Sequence, residues 1–172
     1  MTLLAVMRHA KSDWSQPGLA DFERPLNERG RKATKRVGRE LRQRHVRFDH
    51  VIASPAVRVR ETLDELWRGY EAELEVSFEP RVYDASLATL VALVRAIPAR
   101  VHAPLLVGHN PGLHQLVLEL TANDEEGLRR QVEDKLPTAA VALIELPALR
   151  WDETAAGSGN IRELILPREL KD

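Results

Sequence analysis

Leu3-Leu4-Ala5-Val6-Met7-Arg8-His9-Ala10-Lys11-Ser12 is the stretch from which the rest of the chain can be read. Its opening apolar run is what a strand buried in a sheet requires. The run stops at an arginine–histidine pair, and a second cation and a hydroxyl follow at once. Unpaired charge is costly to bury, so this cluster belongs at the mouth of a sheet and not in its core. Such a strand end can receive a phosphate. The same residues could also simply terminate an edge strand, and the remaining chain decides between the two.

Strand-like and helix-like segments alternate outward from this stretch. A polar loop over 11–26 carries Pro17, Gly18 and Pro25 and is long for a compact domain. Trp14 and Phe22 are expected to pin it to the body as a lid or pocket wall. Asn27 reads as the N-cap of a helix running to about Arg44, with Ala33, Val37 and Leu41 as its inward stripe. Its other faces are strongly basic from Arg29 onward, with only Glu40 opposing them along the helix. That basic surface suits a solvated face or a dock for an acidic protein better than nucleic acid.

Strands are expected over 48–53, 74–78 and 101–107, with helices over 55–71, 86–97 and 111–122 between and after them. Residues 123–135 could be helix or loop. Two closing strands, 138–146 and 160–167, read as an antiparallel hairpin whose connection includes Gly157, Ser158 and Gly159. The pattern predicts an α/β domain with a mostly parallel sheet flanked by helices and a C-terminal antiparallel hairpin. At 172 residues the whole chain, 1–172, is expected to be a single domain.

Composition narrows the function. The chain has 25 Lys and Arg against 26 Asp and Glu, a net charge of -1. That balance argues against a whole-protein field for nucleic acid or an anionic membrane. Cysteine is absent, which removes disulfides, thiolate metal sites and cysteine nucleophiles. No apolar run approaches a membrane span and no signal peptide is apparent, so a cytoplasmic location is expected. Neither a GxxxxGK[ST] loop nor a GxGxxG fingerprint occurs, and no metal-ligand spacing is evident.

Ligands in open α/β sheets bind just outside the carboxyl ends of the strands. Three such ends carry a coherent set: Arg8-His9, then Ser54-Pro55 through Arg58, Arg60 and Thr62, then Gly108-His109-Asn110-Pro111-Gly112. Phosphoryl transfer without a metal needs a nucleophile and fixed positive charge. A neutral imidazole can attack phosphorus, and guanidinium forks match the equatorial oxygens. His9 is therefore the candidate nucleophile, Arg8 and Arg58 the clamps, and His109 a further donor. Lys11, Ser12 and Asn110 are possible phosphate or substrate contacts. His45, His50 and His102 fall at the wrong edge of the sheet, and His114 is expected to be solvated or capping.

The stretches Val6 to Ser12, Asp21-Phe22-Glu23-Arg24-Pro25-Leu26-Asn27-Glu28-Arg29-Gly30, Ser54 to Thr62, Leu106 to Gly112 and Leu166-Pro167-Arg168-Glu169-Leu170 occur in an order that resembles the histidine phosphatase superfamily. Within that phosphoglycerate mutase-like group the chain is most similar to the short SixA-type phosphohistidine phosphatases. The resemblance implies a three-layer fold and a metal-independent, cofactor-free phosphatase that forms phosphohistidine on His9. It favours Arg58 over Arg60, because Arg58 stands four residues after Ser54. Ala10 replaces the superfamily's usual glycine, as is common in the SixA-like branch. The proton donor usually follows the third strand, which points to Asp84, although Asp84 could equally be a helix cap. The implied substrate is phosphohistidine on a protein, with an acidic phosphotransfer-type domain as one partner. The alternatives are a small phosphate ester as substrate, or a non-catalytic phosphate-binding adaptor.

Overall fold

A computed structural model describes residues 2–122, 124–147 and 150–172, leaving Asn123 of the undecided 123–135 segment outside the described residues. Its centre is β1 (Thr2–Arg8). Side chains of a strand alternate between faces. Leu4 and Val6 accordingly enter one core, while Ala5 and Met7 enter the other. Burial on both faces is why the opening run is apolar without interruption.

The remaining strands are β2 (His50–Ala53), β3 (Ser77–Phe78), β4 (Pro104–Gly108), β5 (Val141–Leu146) and β6 (Asn160–Ile165). They form one sheet in the order β3-β2-β4-β1-β5-β6. The β3, β2, β4 and β1 pairings are parallel, and β5 and β6 join antiparallel. This is the expected architecture.

Helices α1 (Glu28–Gln43) and α2 (Val57–Tyr70) cover one face; α3 (Leu87–Arg95), α4 (Gly112–Leu120) and α5 (Leu128–Asp134) cover the other. The connection after β1 therefore leads to one face and the connection after β4 to the opposite face. Between these neighbouring strands lies the crevice where α/β sheets bind ligands.

Several boundaries differ from expectation for local reasons. Strand β4 starts at Pro104 because the His102 and Ala103 N–H groups donate to the Asp49 carboxylate at 2.8 and 2.9 Å instead of to a ladder. Strand β3 is short because only Ile52 and Ala53 supply ladder partners. Helix α2 starts at Val57, beyond Pro55. Trp14 does not pin the 11–26 loop: its side chain is exposed, with Arg24 stacked over the ring at 3.7 Å. Phe22 does hold the loop, edge-on to Tyr83 at 5.1 Å. His114 is neither solvated nor capping, since its Nε2 meets the Val132 carbonyl and ties α4 to α5. Among the described residues no helix is long and apolar enough to cross a membrane.

Part of the basic surface of α1 is answered by carboxylates, most of them distant in sequence. Arg31 reaches Glu61 at 3.1 Å and Glu65 at 3.6 Å, Arg42 pairs with Glu71, and Arg44 reaches Glu40 at 2.6 Å and Glu163 at 2.9 Å. The two helices touch through glycine. A Cβ on Gly38 would strike the Leu66 carbonyl, and a Cβ on Gly69 would strike the Lys35 carbonyl. Gly69→Ala is expected to cost about 1–3 kcal/mol by overpacking this crossing. Gly18→Ala, where nothing lies within 4 Å, should stay within about 0.5 kcal/mol of wild type. Urea denaturation of both variants measures the difference.

Candidate active site

The carboxyl end of β1 is held by backbone bonds on both sides. The His9 N–H donates to the Gly108 carbonyl at 3.0 Å, and the Ala139 N–H is shared between the Arg8 and His9 carbonyls, each at 3.1 Å. The Ala10 N–H donates to Thr62 Oγ1 at 3.0 Å, and that hydroxyl donates to the Arg58 carbonyl at 2.6 Å. Thr62 thus ties the residue beside His9 to the backbone of Arg58. These bonds bring three sheet-edge segments together, as the sequence motifs require.

His9 and His109 are both 8% exposed, and their rings lie 5.2 Å apart. His9 Nδ1 donates to the Ala10 carbonyl at 2.7 Å. A carbonyl can only accept, so Nδ1 carries the proton and Nε2 keeps its lone pair. Burial pushes the His9 pKa down to about 4, and the nearby Arg58 and Arg8 guanidiniums add to the effect. The ring is therefore neutral at pH 7.

His109 is lowered to about 3, first by burial, then by His9 and Arg58. Its Nε2 lies 2.7 Å from Ser54 Oγ, which accepts from the Ala56 N–H at 3.2 Å. Each group is used once if the Ser54 hydroxyl donates to Nε2. His109 Nδ1–H is then a donor, and this atom is buried with no hydrogen-bond partner among the described residues.

Arg58 presents its fork to Asp21, with Nη1 on the backbone carbonyl at 2.7 Å and Nη2 on Oδ2 at 3.0 Å. The Tyr83 hydroxyl donates to the same Oδ2 at 2.6 Å. Those bonds, Tyr83 first, hold the Asp21 carboxyl below its ordinary range, while Asp21 pushes the Tyr83 phenol up. Asp21, Arg58, Tyr83, Asp84, His109 and Asn110 line a cleft of about 290 Å³. Arg8 reaches this neighbourhood from behind. Its Nη1 donates to the Leu136 carbonyl at 3.2 Å, which also accepts from Asn110 Nδ2 at 2.9 Å. Arg8 Nε and Asn110 Oδ1 are buried and have no partner among the described residues.

The expected site residues are thus placed unequally. His9, His109, Arg8, Arg58 and Asn110 converge, and Asp84 is exposed on the cleft wall. Asp84 is not the cap of α3: the Ser86 hydroxyl accepts from the Thr89 N–H at 3.2 Å. Lys11 is exposed and faces a different cleft, and buried Ser12 pairs with Leu26. Arg60 points away, with Nε on the Pro55 carbonyl at 2.8 Å and its guanidinium over Phe78. Tyr83 was not marked as a site residue by the sequence, Ser54 and Thr62 appeared only as members of the strand-end stretch from Ser54 to Thr62, and Asp21 only within the stretch that resembles the superfamily.

The model for the histidine phosphatase superfamily (branch 1) matches residues 4–90. An uncharacterised protein of Mycobacterium leprae is 31% identical over 166 residues, covering 94% of this chain and 100% of that one. Among solved structures, a SixA from Agrobacterium tumefaciens, named as a candidate phosphohistidine phosphatase, superposes with TM-score 0.80 at 25% identity. The match covers 96% of this chain and 98% of that one. A similarly named SixA from Nakamurella multipartitia gives TM-score 0.77 at 26% identity over 96% of each chain.

The imidazoles give the geometry a direct readout. Titration followed by NMR should place His9 near 4 and His109 near 3. Arg58→Ala should move both upward, because the guanidinium opposes protonation of each. The unfolded chain takes up these protons near pH 6.5 and the folded chain does not. Stability is therefore unaffected above about pH 6.5 and falls as the pH drops from there toward 4. Replacing either histidine by Gln should flatten that slope.

Proposed function

The chain belongs to the histidine phosphatase superfamily (branch 1), and from that membership we propose that it is a phosphatase whose His9 Nε2 carries the phosphoryl group covalently. The observation that carries this reading is the Nδ1–H bond to the Ala10 carbonyl. It leaves the Nε2 lone pair ready for attack, and burial keeps the ring unprotonated. Attack forms the Nε2–P bond and breaks the bond to the leaving group. Water then attacks the same phosphorus, releases inorganic phosphate and restores neutral His9.

Arg8 and Arg58 supply the fixed positive charge that the equatorial oxygens need. An incoming phosphoryl group competes with the Asp21 carboxylate for the Arg58 fork. The unpartnered Nδ1–H of His109 donates to the same oxygens. Asp84 protonates the leaving group in the first step and takes a proton from water in the second. Asp21 does not suit that role, because Tyr83 and Arg58 keep it ionised.

The substrate in this reading is phosphohistidine on a protein, and residues 1–172 act as one catalytic domain without metal or cofactor. Two observations support the substrate. The segment joining β3 to α3 contains a single 3-10 turn, Pro80–Val82, where a larger insertion would cap the cleft. The cleft's volume, about 290 Å³, falls at or below the usual range for small-molecule sites, about 300–1,000 Å³. It suits a phosphorylated side chain entering from a protein surface better than a whole metabolite.

Incubation with phosphate-labelled substrate should trap label on wild type and none on His9→Ala, whose turnover should fall at least about a thousandfold. Full activity of His9→Ala would end the covalent mechanism. Asp84→Asn should slow hydrolysis of an alkyl phosphate by about 10²–10⁴-fold. It should slow phosphohistidine hydrolysis much less, since a protonated imidazole departs readily. Dialysis against EDTA should leave the rate unchanged. If sugar phosphates turn over faster than a phosphohistidine protein, the small-ester reading replaces this one.

A further inference from the structure

A second cleft, of about 500 Å³, opens near the same carboxyl edge of β1. Its walls are the N-terminal half of α1, the 135–139 segment leading into β5, and the 166–168 turn following β6. Six cations line it: Lys11, Arg29, Lys32, Arg36, Lys135 and Arg168. Among the described residues no carboxylate does. Arg36 alone is paired, with Asp172 at 2.8 Å, and that carboxylate is 96% exposed. The other five have no carboxylate partner among the described residues. Arg36 Nε is buried with no hydrogen-bond partner among them.

The concentration is local, since the whole chain carries a net charge of only -1. It also contrasts with Arg31, Arg42 and Arg44 in the same stretch of chain, each of which is paired with a carboxylate. Six like charges around a concave wall repel one another and focus a field that draws anions inward. Between the cations lies an apolar floor of Ala33, Pro137, Ala139 and Leu166.

We propose that this cleft binds a small molecule carrying several phosphate groups, at a site separate from the phosphoryl-transfer cleft. A single phosphate would leave most of the cations unanswered. Several phosphates on one compact body match their number. The volume is that of a small-ligand site. The two clefts share no lining residue. They are nevertheless adjacent in the chain: Lys135 and Pro137 flank Leu136, whose carbonyl receives Arg8 and Asn110. A bound ligand would therefore touch the segment whose Leu136 carbonyl accepts from Arg8. The proposal does not depend on turnover at His9.

Calorimetry with inorganic tripolyphosphate tests it, on the full chain carrying His9→Ala so that no turnover consumes the probe. Tripolyphosphate should bind, more weakly as salt rises. Adding Lys32→Ala and Arg168→Ala together should weaken binding by about tenfold or more. Both side chains are exposed, and an unchanged melting temperature shows that the fold is intact. Adding Arg58→Ala instead should leave binding within about twofold, because that guanidinium lies in the other cleft. Loss of binding with Arg58→Ala but not with the double variant would place the probe in the catalytic cleft and overturn the proposal. Failure of the parent chain to bind tripolyphosphate, or tighter binding of a hexaglutamate peptide, would overturn it as well.

Discussion

Much of the structure depends on one short hydrogen bond, from His9 Nδ1 to the Ala10 carbonyl. It works only if the Ala10 peptide is immobile, and the surrounding fold supplies that. The Ala10 side chain is fully buried, and its N–H is taken by Thr62. Thr62 in turn rests on the Arg58 carbonyl, so the peptide that sets the His9 tautomer also registers α2. The alignment of His9 and the Arg58 guanidinium therefore follows from backbone and hydroxyl bonds, with no direct contact between the two side chains required.

The site gathers positive and potentially positive groups, and its arrangement manages their repulsion. Burial keeps His9 and His109 neutral. Asp21 supplies the counter-charge to Arg58 from a 3-10 turn, where its side chain is about half exposed. Around the second, basic cleft the one ion pair among the described residues is that of Arg36 with Asp172. Both clefts open near the end of β1, because that central strand brings the α1, β4 and β5 connections to one edge.

Much of this was legible in order of residue type. Leu3 to Met7 announced a doubly buried strand, and the alternation of strands and helices predicted the mixed sheet. His9, Arg8, Arg58 and His109 were each marked by chemistry at a strand end. The boundaries of β3 and β4 were less legible, since they depend on whether a neighbour offers ladder partners or an Asp49 carboxylate competes for the N–H groups. Trp14 looked like an anchor by its size, yet its contact is Arg24 from the same loop. The pairing of α1 was not legible either, because the carboxylates that meet Arg31 and Arg42, and Glu163 that meets Arg44, lie far along the chain.

Local pattern by itself determined the α/β class, the central strand and the candidate site residues, because burial, turn chemistry and charge cost act on short stretches. Tertiary structure decided which groups meet. Asp21 reaches Arg58 across 37 residues and Tyr83 across 62. Ser54 reaches His109 across 55. No short-range pattern encodes such distances; they are set by the crossing of β1 and β4 connections to opposite faces. The same packing paired Arg31, Arg42 and Arg44 with carboxylates and left Arg29 and Lys32 on the wall of the second cleft.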